Sequence, residues 1–335
     1  MSSKTKIGPL LACAISDSYG AGFEYVPPVV VRKHNDLSAY RQHPKWKDLT
    51  PGRYTDDCQM AMGLAEHLLM DNPSWNLLSL SERWVATFKR DQRSGYSGGF
   101  YKLLCEVTNG FELIAKLRPS SIKNGGAMRA FPLGFLEDTD TVRDLAMLQA
   151  SLTHATYIGM SAAAGAALMF HYCYHSIGPL SDLPYFLDRM VPGVEFDKPW
   201  DKPVGSKGTI AVRAAMTALV KGTSLSDVLQ RCVAVTGDVD TVAAIAMPAA
   251  AVCDTMDKSF SDHLIEGLEN GTYGRDYIIG LDAKLVAKYP TAAEREAVLE
   301  AAREEKRETK RKAKAAKAKP EHDERGLLDF LYEDD

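Results

Sequence analysis

Apolar residues recur at helical spacing in stretch after stretch of this sequence, and sustained alternation of apolar and polar residues is absent. Between Asp57 and Met70, the side chains of Met60, Ala61, Leu64, Ala65 and Leu68 share one face of a helix with about 3.6 residues per turn. The same pattern predicts helices over Ser79 to Phe88, Thr141 to Ser151, Ile158 to Tyr174, Ile210 to Val220, Leu225 to Val235 and Val242 to Val252. Alanine clusters such as Ala162 to Ala164 and Ala249 to Ala251 favour helix intrinsically and let neighbouring helices approach closely. Glycine and proline punctuate the intervals, at Pro27-Pro28, Pro51-Gly52, Gly95 to Gly99, Gly125-Gly126 and Pro203 to Gly208. No internal repeat appears, which argues against an α-solenoid. The expected fold is all-α, a compact orthogonal bundle of many helices.

At 335 residues the chain is long enough to bury a large core. A formal net charge of −4 points neither toward nor away from a polyanionic partner. The six cysteines are scattered without a C-x-x-C pair and read as small buried hydrophobes in a reducing compartment, so a cytoplasmic location is expected. His171, Cys173 and His175 lie in an apolar stretch without a second ligand cluster at zinc spacing, which favours a structural role. Lys4 and Lys6 before Ile7 to Ile15 resemble a weak signal peptide. The interruption at Gly8-Pro9 and the early Asp17 favour a first core helix instead. The apolar run from Met160 to Tyr174 is too short to span a bilayer, so no membrane partner is expected.

From Lys306 to Lys319 there are eight Lys or Arg and one Glu, interspersed with alanine. The expected organisation is therefore a globular domain over residues 1–290 and a charged extension over 291–335, helical or disordered. The extension is open to a weak anionic partner. Its Leu327 to Tyr332 segment, set among acids, is either a docking tail or a short motif for a protein partner.

Two short segments concentrate oxygen donors at predicted helix starts: Thr55-Asp56-Asp57 and Asp238-Val239-Asp240-Thr241. One reading is structural, since a threonine hydroxyl caps orphan N–H groups and acids favour the positive helix end. A cap needs one oxygen, however, and each segment supplies three. Adjacent acids repel unless a cation or base neutralises them. Together the segments suit a binuclear centre of hard divalent cations, in which a carboxylate bridges ions about 3.5–4 Å apart.

Several further blocks, in order, give the chain its resemblance to the ADP-ribosylglycohydrolases, the family of dinitrogenase-reductase-activating glycohydrolases and ADP-ribosyl-acceptor hydrolases. Ala14 to Gly20 with Glu24 resembles the family's first helix and acidic loop. The two acidic segments resemble its metal-ligand motifs. Asn124-Gly125-Gly126-Ala127-Met128-Arg129 resembles its glycine-rich substrate loop, and Leu152-Thr153-His154-Ala155 its threonine-histidine motif. The resemblance covers about residues 7 to 290 and excludes the basic tail.

The resemblance implies two Mg²⁺ ions (Mn²⁺ in some members) held by Thr55, Asp56, Asp57, Asp238, Asp240 and Thr241, an oxygen-only set that suits those ions better than zinc. It implies Glu24 and Asp57 at the reacting centre, with Glu24 on a mobile loop as general acid or base. It further implies Ser121, Asn124, Gly125, Gly126 and His154 around the substrate's pyrophosphate. Tyr96 enters through Arg93-Ser94-Gly95-Tyr96, which resembles the loop of the branch that cleaves ADP-ribosyl-serine and poly(ADP-ribose). His154 taken alone fits a satisfied core histidine equally well, and Arg129 reads as a buried structural charge.

The expected function is removal of ADP-ribose from a modified protein or ADP-ribose conjugate, by cleavage at the anomeric carbon of the distal ribose through an oxocarbenium-like transition state. The linkage stays open. Departures from the family pattern are Ser16, Val239, Met247-Pro248, and Ile122 where the serine-directed branch has an adenine-stacking aromatic. The alternatives are a catalytically inactive ADP-ribose-binding or structural homologue, and a dimetal phosphoesterase, which would not require the Gly-Gly-Ala-Met-Arg loop.

Overall fold

The first helix shows how this sequence builds its interior. Helix α1 (Pro9–Ala21) is buried at every position, with Pro9 in its first turn where a missing N–H costs nothing. Its remaining N-terminal N–H groups need a partner away from water. Asp282 supplies it from helix α14 (Arg275–Lys288), accepting from the N–H groups of Leu10 and Leu11 at 2.8 and 3.0 Å. The N-terminal segment is thus a core helix. The computed structural model describes residues 7–317, with side chains to residue 312, so Lys4, Lys6 and the Leu327 to Tyr332 segment lie outside the described residues.

Between α1 and α14 the chain runs through α2 (Pro28–His34), α3 (Asp56–Leu69), α4 (Leu77–Arg90), α5 (Gly98–Glu106), α6 (Gly110–Lys116), α7 (Thr139–His154), α8 (Tyr157–Tyr174), α9 (Leu183–Met190), α10 (Gly208–Lys221), α11 (Leu225–Ala234), α12 (Val239–Val252) and α13 (Asp262–Gly267). Short 3-10 turns cover Asn124–Gly126, Phe131–Phe135 and Leu180–Asp182. No strand occurs among the described residues, only isolated bridges, so the fold is all-α as expected. The periodic segments lie in α3, α4, α7, α8, α10, α11 and α12 to within a few residues of their expected ends.

Alanine and glycine govern how these helices meet. Helix α12 is buried over nearly its whole length and packs along α1. At Gly20 a Cβ would lie 2.4 Å from the Cα of Asp240, so only glycine lets α1 sit this close to the acidic start of α12. Helix α8, likewise apolar all round, packs between α7, α10 and α12. A second, smaller core gathers Trp84, Phe88, Leu104 and Leu113 around Met60, Tyr96 and Met128. His171 and His175 are satisfied structural residues. His171 meets Thr139 Oγ1 at 3.0 Å and the Gly134 carbonyl at 3.2 Å, and His175 meets the Leu136 carbonyl at 3.0 Å.

The described residues fall into two units, one up to Tyr289 and one from Pro290 onward. The second begins with a reciprocal cap in which Glu294 accepts from the Thr291 N–H and the Thr291 hydroxyl accepts from the Glu294 N–H, and it continues as α15 (Ala292–Lys317). No helix among the described residues is long and apolar enough to cross a membrane.

Candidate metal and substrate site

Both acidic segments open onto one cavity of about 700 Å³. Helix α3 brings Asp56 and Asp57, α12 brings Asp240 and Thr241 with Asp238 just before it, and the turn after α1 brings Glu24. Oxygens of Glu24, Asp238 and Asp240 lie within 4.8 Å of one another. Burial pushes the carboxyls of Asp56, Asp57, Asp238 and Asp240 above their ordinary range. Neighbouring carboxylates push Asp56, Asp57 and Asp240 the same way, while for Asp238 Glu24 pushes up and hydrogen bonds with Asp240, Asn124 and Thr241 pull down.

Thr55 occupies the N-cap position of α3, but its hydroxyl does not cap the helix. It donates instead to Asp17 Oδ1 at 2.6 Å. The other Asp17 oxygen accepts from the N–H groups of Thr55 and Cys58 at 2.9 and 3.0 Å, so an acid on α1 caps α3 from outside. Thr55 is fully buried and is absent from the cavity lining. Burial raises the Asp17 carboxyl to about 6 against these hydrogen bonds. Asp17 was given no capping or site role from sequence, although an acid within an otherwise apolar helix was the available signal, because such a group must find donors.

The residues present fit hard divalent cations. Asp57 Oδ1 is buried without a hydrogen-bond partner, a costly state for a carboxylate oxygen unless something not made of protein meets it. The donors that share the cavity floor with it are all carboxylate or hydroxyl oxygens, with no histidine or cysteine among them. Gly95 bears on the same floor. Its φ is +109°, and a Cβ there would fall 1.9 Å from Asp56 Oδ1, so this loop clears Asp56 only as glycine. Arg93 holds the loop down, stacking on Tyr54 at 3.7 Å and pairing with Asp91 and Glu269. Tyr96 lines the cavity, and its hydroxyl donates to Gln59 at 2.7 Å.

The facing wall is made by the Asn124–Gly126 turn and the α7–α8 junction. Ser121, Asn124, Gly125 and His154 line the cavity. Gly126 lies behind them, its carbonyl accepting from Gln149 at 2.8 Å. Asn124 donates to Asp238 at 3.0 Å and so ties wall to floor. Thr156 caps α8 and donates to the Ser121 carbonyl at 2.9 Å, fixing the strand of chain that carries Ser121. Ile122 is exposed and stands outside the cavity lining.

Arg129 is buried as expected, stacked on Trp84 at 3.9 Å, and it also sets the state of His154. It donates to Gln149 Oε1 at 2.7 Å and to the Thr153 hydroxyl at 2.9 Å. A guanidinium only donates, so the Thr153 hydroxyl accepts from Arg129, which leaves its own proton free for His154 Nδ1, 2.7 Å away. With that donation the hydrogen of the His154 ring stands on Nε2. Burial and the charges of Arg129 and Lys123 lower its pKa to about 3, which keeps it neutral. Thr153 was not singled out as a site residue.

Glu24 is tethered. Its Oε2 lies 2.7 Å from His43 Nε2, and the next residue, Tyr25, donates its N–H to the Gly237 carbonyl at 2.8 Å. Nothing in the sequence pointed to His43, which lies in an irregular segment 19 residues away.

The ADP-ribosylglycohydrolase family model matches residues 5–298. The chain belongs to the ADP-ribosylglycohydrolase family. Among curated members it is 29% identical over 206 residues to ADP-ribosylhydrolase ARH3 of Mus musculus, covering 56% of this chain and 53% of that protein. To ADP-ribosylhydrolase ARH3 of Homo sapiens it is 28% identical over 182 residues, covering 49% of this chain and 48% of that protein. The match thus spans about half the length of those relatives. A solved ADP-ribosylglycohydrolase-related protein complex superposes with a TM-score of 0.65 at 20% identity, covering 84% of this chain and 96% of that chain, which shows the shared fold.

Proposed function

We propose that this family member hydrolyses the bond between the anomeric carbon of the distal ribose of ADP-ribose and a modified acceptor, a protein side chain or an ADP-ribose conjugate. One observation carries the reading. Asp57, which has one buried carboxylate oxygen without a partner, and the Glu24–Asp238–Asp240 cluster line the same cavity as the neutral imidazole of His154, Asn124 and Gly125.

Asp56, Asp57, Asp238, Asp240 and Thr241, with the Thr55 hydroxyl adjoining, would hold two Mg²⁺ or Mn²⁺ ions. Bound there, such ions would neutralise the floor and polarise the ribose hydroxyls as Lewis acids. His154 Nε2–H donates to a phosphate oxygen without bringing a charge that would compete with the acids below. Ser121 and the backbone of Gly125 approach the same group. Glu24 stands at the edge of the floor, where it takes a proton from water as the acceptor atom leaves with the electron pair of the glycosidic bond. The oxygen of that water bonds to the anomeric carbon, and Glu24 passes the proton it took to the departing acceptor atom, so water is added across the bond and no oxidant is consumed.

Purified protein with Mg²⁺, given arginine-linked and serine-linked ADP-ribosylated proteins, is expected to release free ADP-ribose from at least one. Intact metal binding with release from neither would sink the hydrolase reading in favour of a binding or structural homologue. Release of phosphate in place of ADP-ribose would favour a phosphoesterase.

A further inference from the structure

Glu24 has a problem that its own segment does not solve. It sits just beyond α1 with its side chain 18% exposed, and an oxygen within 4.8 Å of two other carboxylates. Like charges this close drive such a side chain toward water, and swinging outward costs a surface-edge glutamate little. Among the described residues its side chain has one hydrogen-bond partner, His43.

His43 is built for that contact. It is 2% exposed, stacked on Trp46 with ring centroids 4.2 Å apart and planes at 19°. The backbone N–H groups of Lys45 and Trp46 both donate to its Nδ1, at 3.0 and 2.9 Å. A nitrogen that accepts two N–H groups carries no hydrogen, so the ring's hydrogen is on Nε2, aimed at Glu24 Oε2. The turn that fixes the tautomer also reaches substrate space, since Lys45 and Trp46 line the cavity beside Glu24.

We infer that His43 is a positioning residue: its Nε2–H holds the Glu24 carboxylate over the acidic floor, in the orientation needed for proton transfer, against repulsion by Asp238 and Asp240. The inference rests on the hydrolase reading for its kinetic consequence, and on geometry alone for the tautomer.

The test uses the full chain as wild type, H43A, H43Q, E24A and the H43A/E24A pair, with an ADP-ribosylated peptide as substrate. H43A should lower kcat about 10–100-fold, the range for losing the outer partner of a working carboxylate. KM should change less than about threefold, because substrate contacts are retained. H43Q should restore most of the rate, since its amide both donates to Glu24 and accepts from the turn. In the E24A background, H43A should cost nothing more. An unchanged kcat in H43A overturns the inference, as does a loss that persists undiminished without Glu24.

A nitrogen–proton correlation spectrum of the wild-type histidine rings needs no turnover. It should show His43 as the neutral Nε2–H form, with Nε2 shifted in E24A. An Nδ1–H ring, or no response to E24A, overturns the inference. This measurement decides for His43 even if H43A does not fold. It also separates the two failures, because a protein that releases no ADP-ribose loses the hydrolase reading while its ring state still reports on the tether.

Discussion

The floor and the wall of the cavity are both buried and both polar, and they are built in opposite ways. On the wall, Arg129, Gln149, Thr153 and His154 form a chain in which each donor meets an acceptor, down to the carbonyl of Gly126. On the floor, carboxylates crowd together, Asp57 Oδ1 has no partner, and burial with mutual repulsion raises four of the carboxyls. A satisfied network is finished at folding and presents a fixed donor. An unsatisfied cluster is finished only by what binds to it. The contrast teaches where the protein is preorganised and where its acids could hold a cation.

The floor offers the sharpest way to break this comparison. D240A and D57A should each lower kcat/KM by about 10³-fold or more, as expected when one member of a group acting as a unit is removed. D57N carries the stability side of the contrast. In metal-free buffer it should raise the melting temperature, because it replaces a buried carboxylate that has one oxygen without a protein partner and like-charged neighbours around it. It should also shrink the further rise on adding Mg²⁺, which measures binding to the folded state. A D57N melting temperature below wild type in chelator would show that the floor is internally satisfied, and the distinction between floor and wall would be lost.

The wall should respond in the reverse sense. T153V strands an Arg129 N–H and His154 Nδ1, and a buried polar group left unpaired costs about 1–3 kcal/mol. Stability should therefore fall whether or not Mg²⁺ is present. Without the Thr153 hydroxyl to select the tautomer, ADP-ribose affinity should weaken about tenfold, the scale of one lost hydrogen bond. Calorimetric titration with ADP-ribose checks this directly, and an unchanged affinity would mean that His154 does not face the ligand as a donor.

How much of this was legible in the sequence follows the same division. Helix periodicity and alanine content announced the all-α fold, and the acidic segments announced the floor, because both are local patterns that one stretch of chain carries complete. The wall was legible only through the family resemblance, since Asn124 to Arg129 and Thr153-His154 have no chemistry in isolation. Least legible were the contacts that cross the chain. Asp17 caps a helix that begins 39 residues later, His43 reaches back 19 residues to Glu24, and Asp282 closes α1 from 272 residues away. Each spans two elements, so no spacing within one segment encodes it. The capping reading of Thr55, one of the two its segment allowed, shows the consequence. The cap exists, but the oxygen comes from another helix, and the Thr55 hydroxyl is committed to Asp17.

Asp282 gives the comparison its finest test, because it is a floor-type group in a wall-type setting: a fully buried carboxylate with two backbone donors. Burial raises its pKa to about 7, and the hydrogen bonds from Leu10 and Leu11 pull it back only in part. The folded value thus lies above the unfolded one of about 3.9. Its contribution to stability is present in full below that unfolded value and is lost as pH rises through about 7. D282N removes the titration while keeping one acceptor for α1. The stability difference, wild type minus D282N, should therefore grow as pH falls from about 7 to 4, with a limiting slope of about 1.4 kcal/mol per pH unit. Urea unfolding of the two proteins across that range measures the slope with the floor carboxylates common to both. Parallel curves would mean that the two N–H groups and the end of α1 outweigh burial, so that partners alone settle a carboxylate's state in this core. The partnerless oxygen of Asp57 would then be the better explanation of why the floor, and not the base of α1, needs cations.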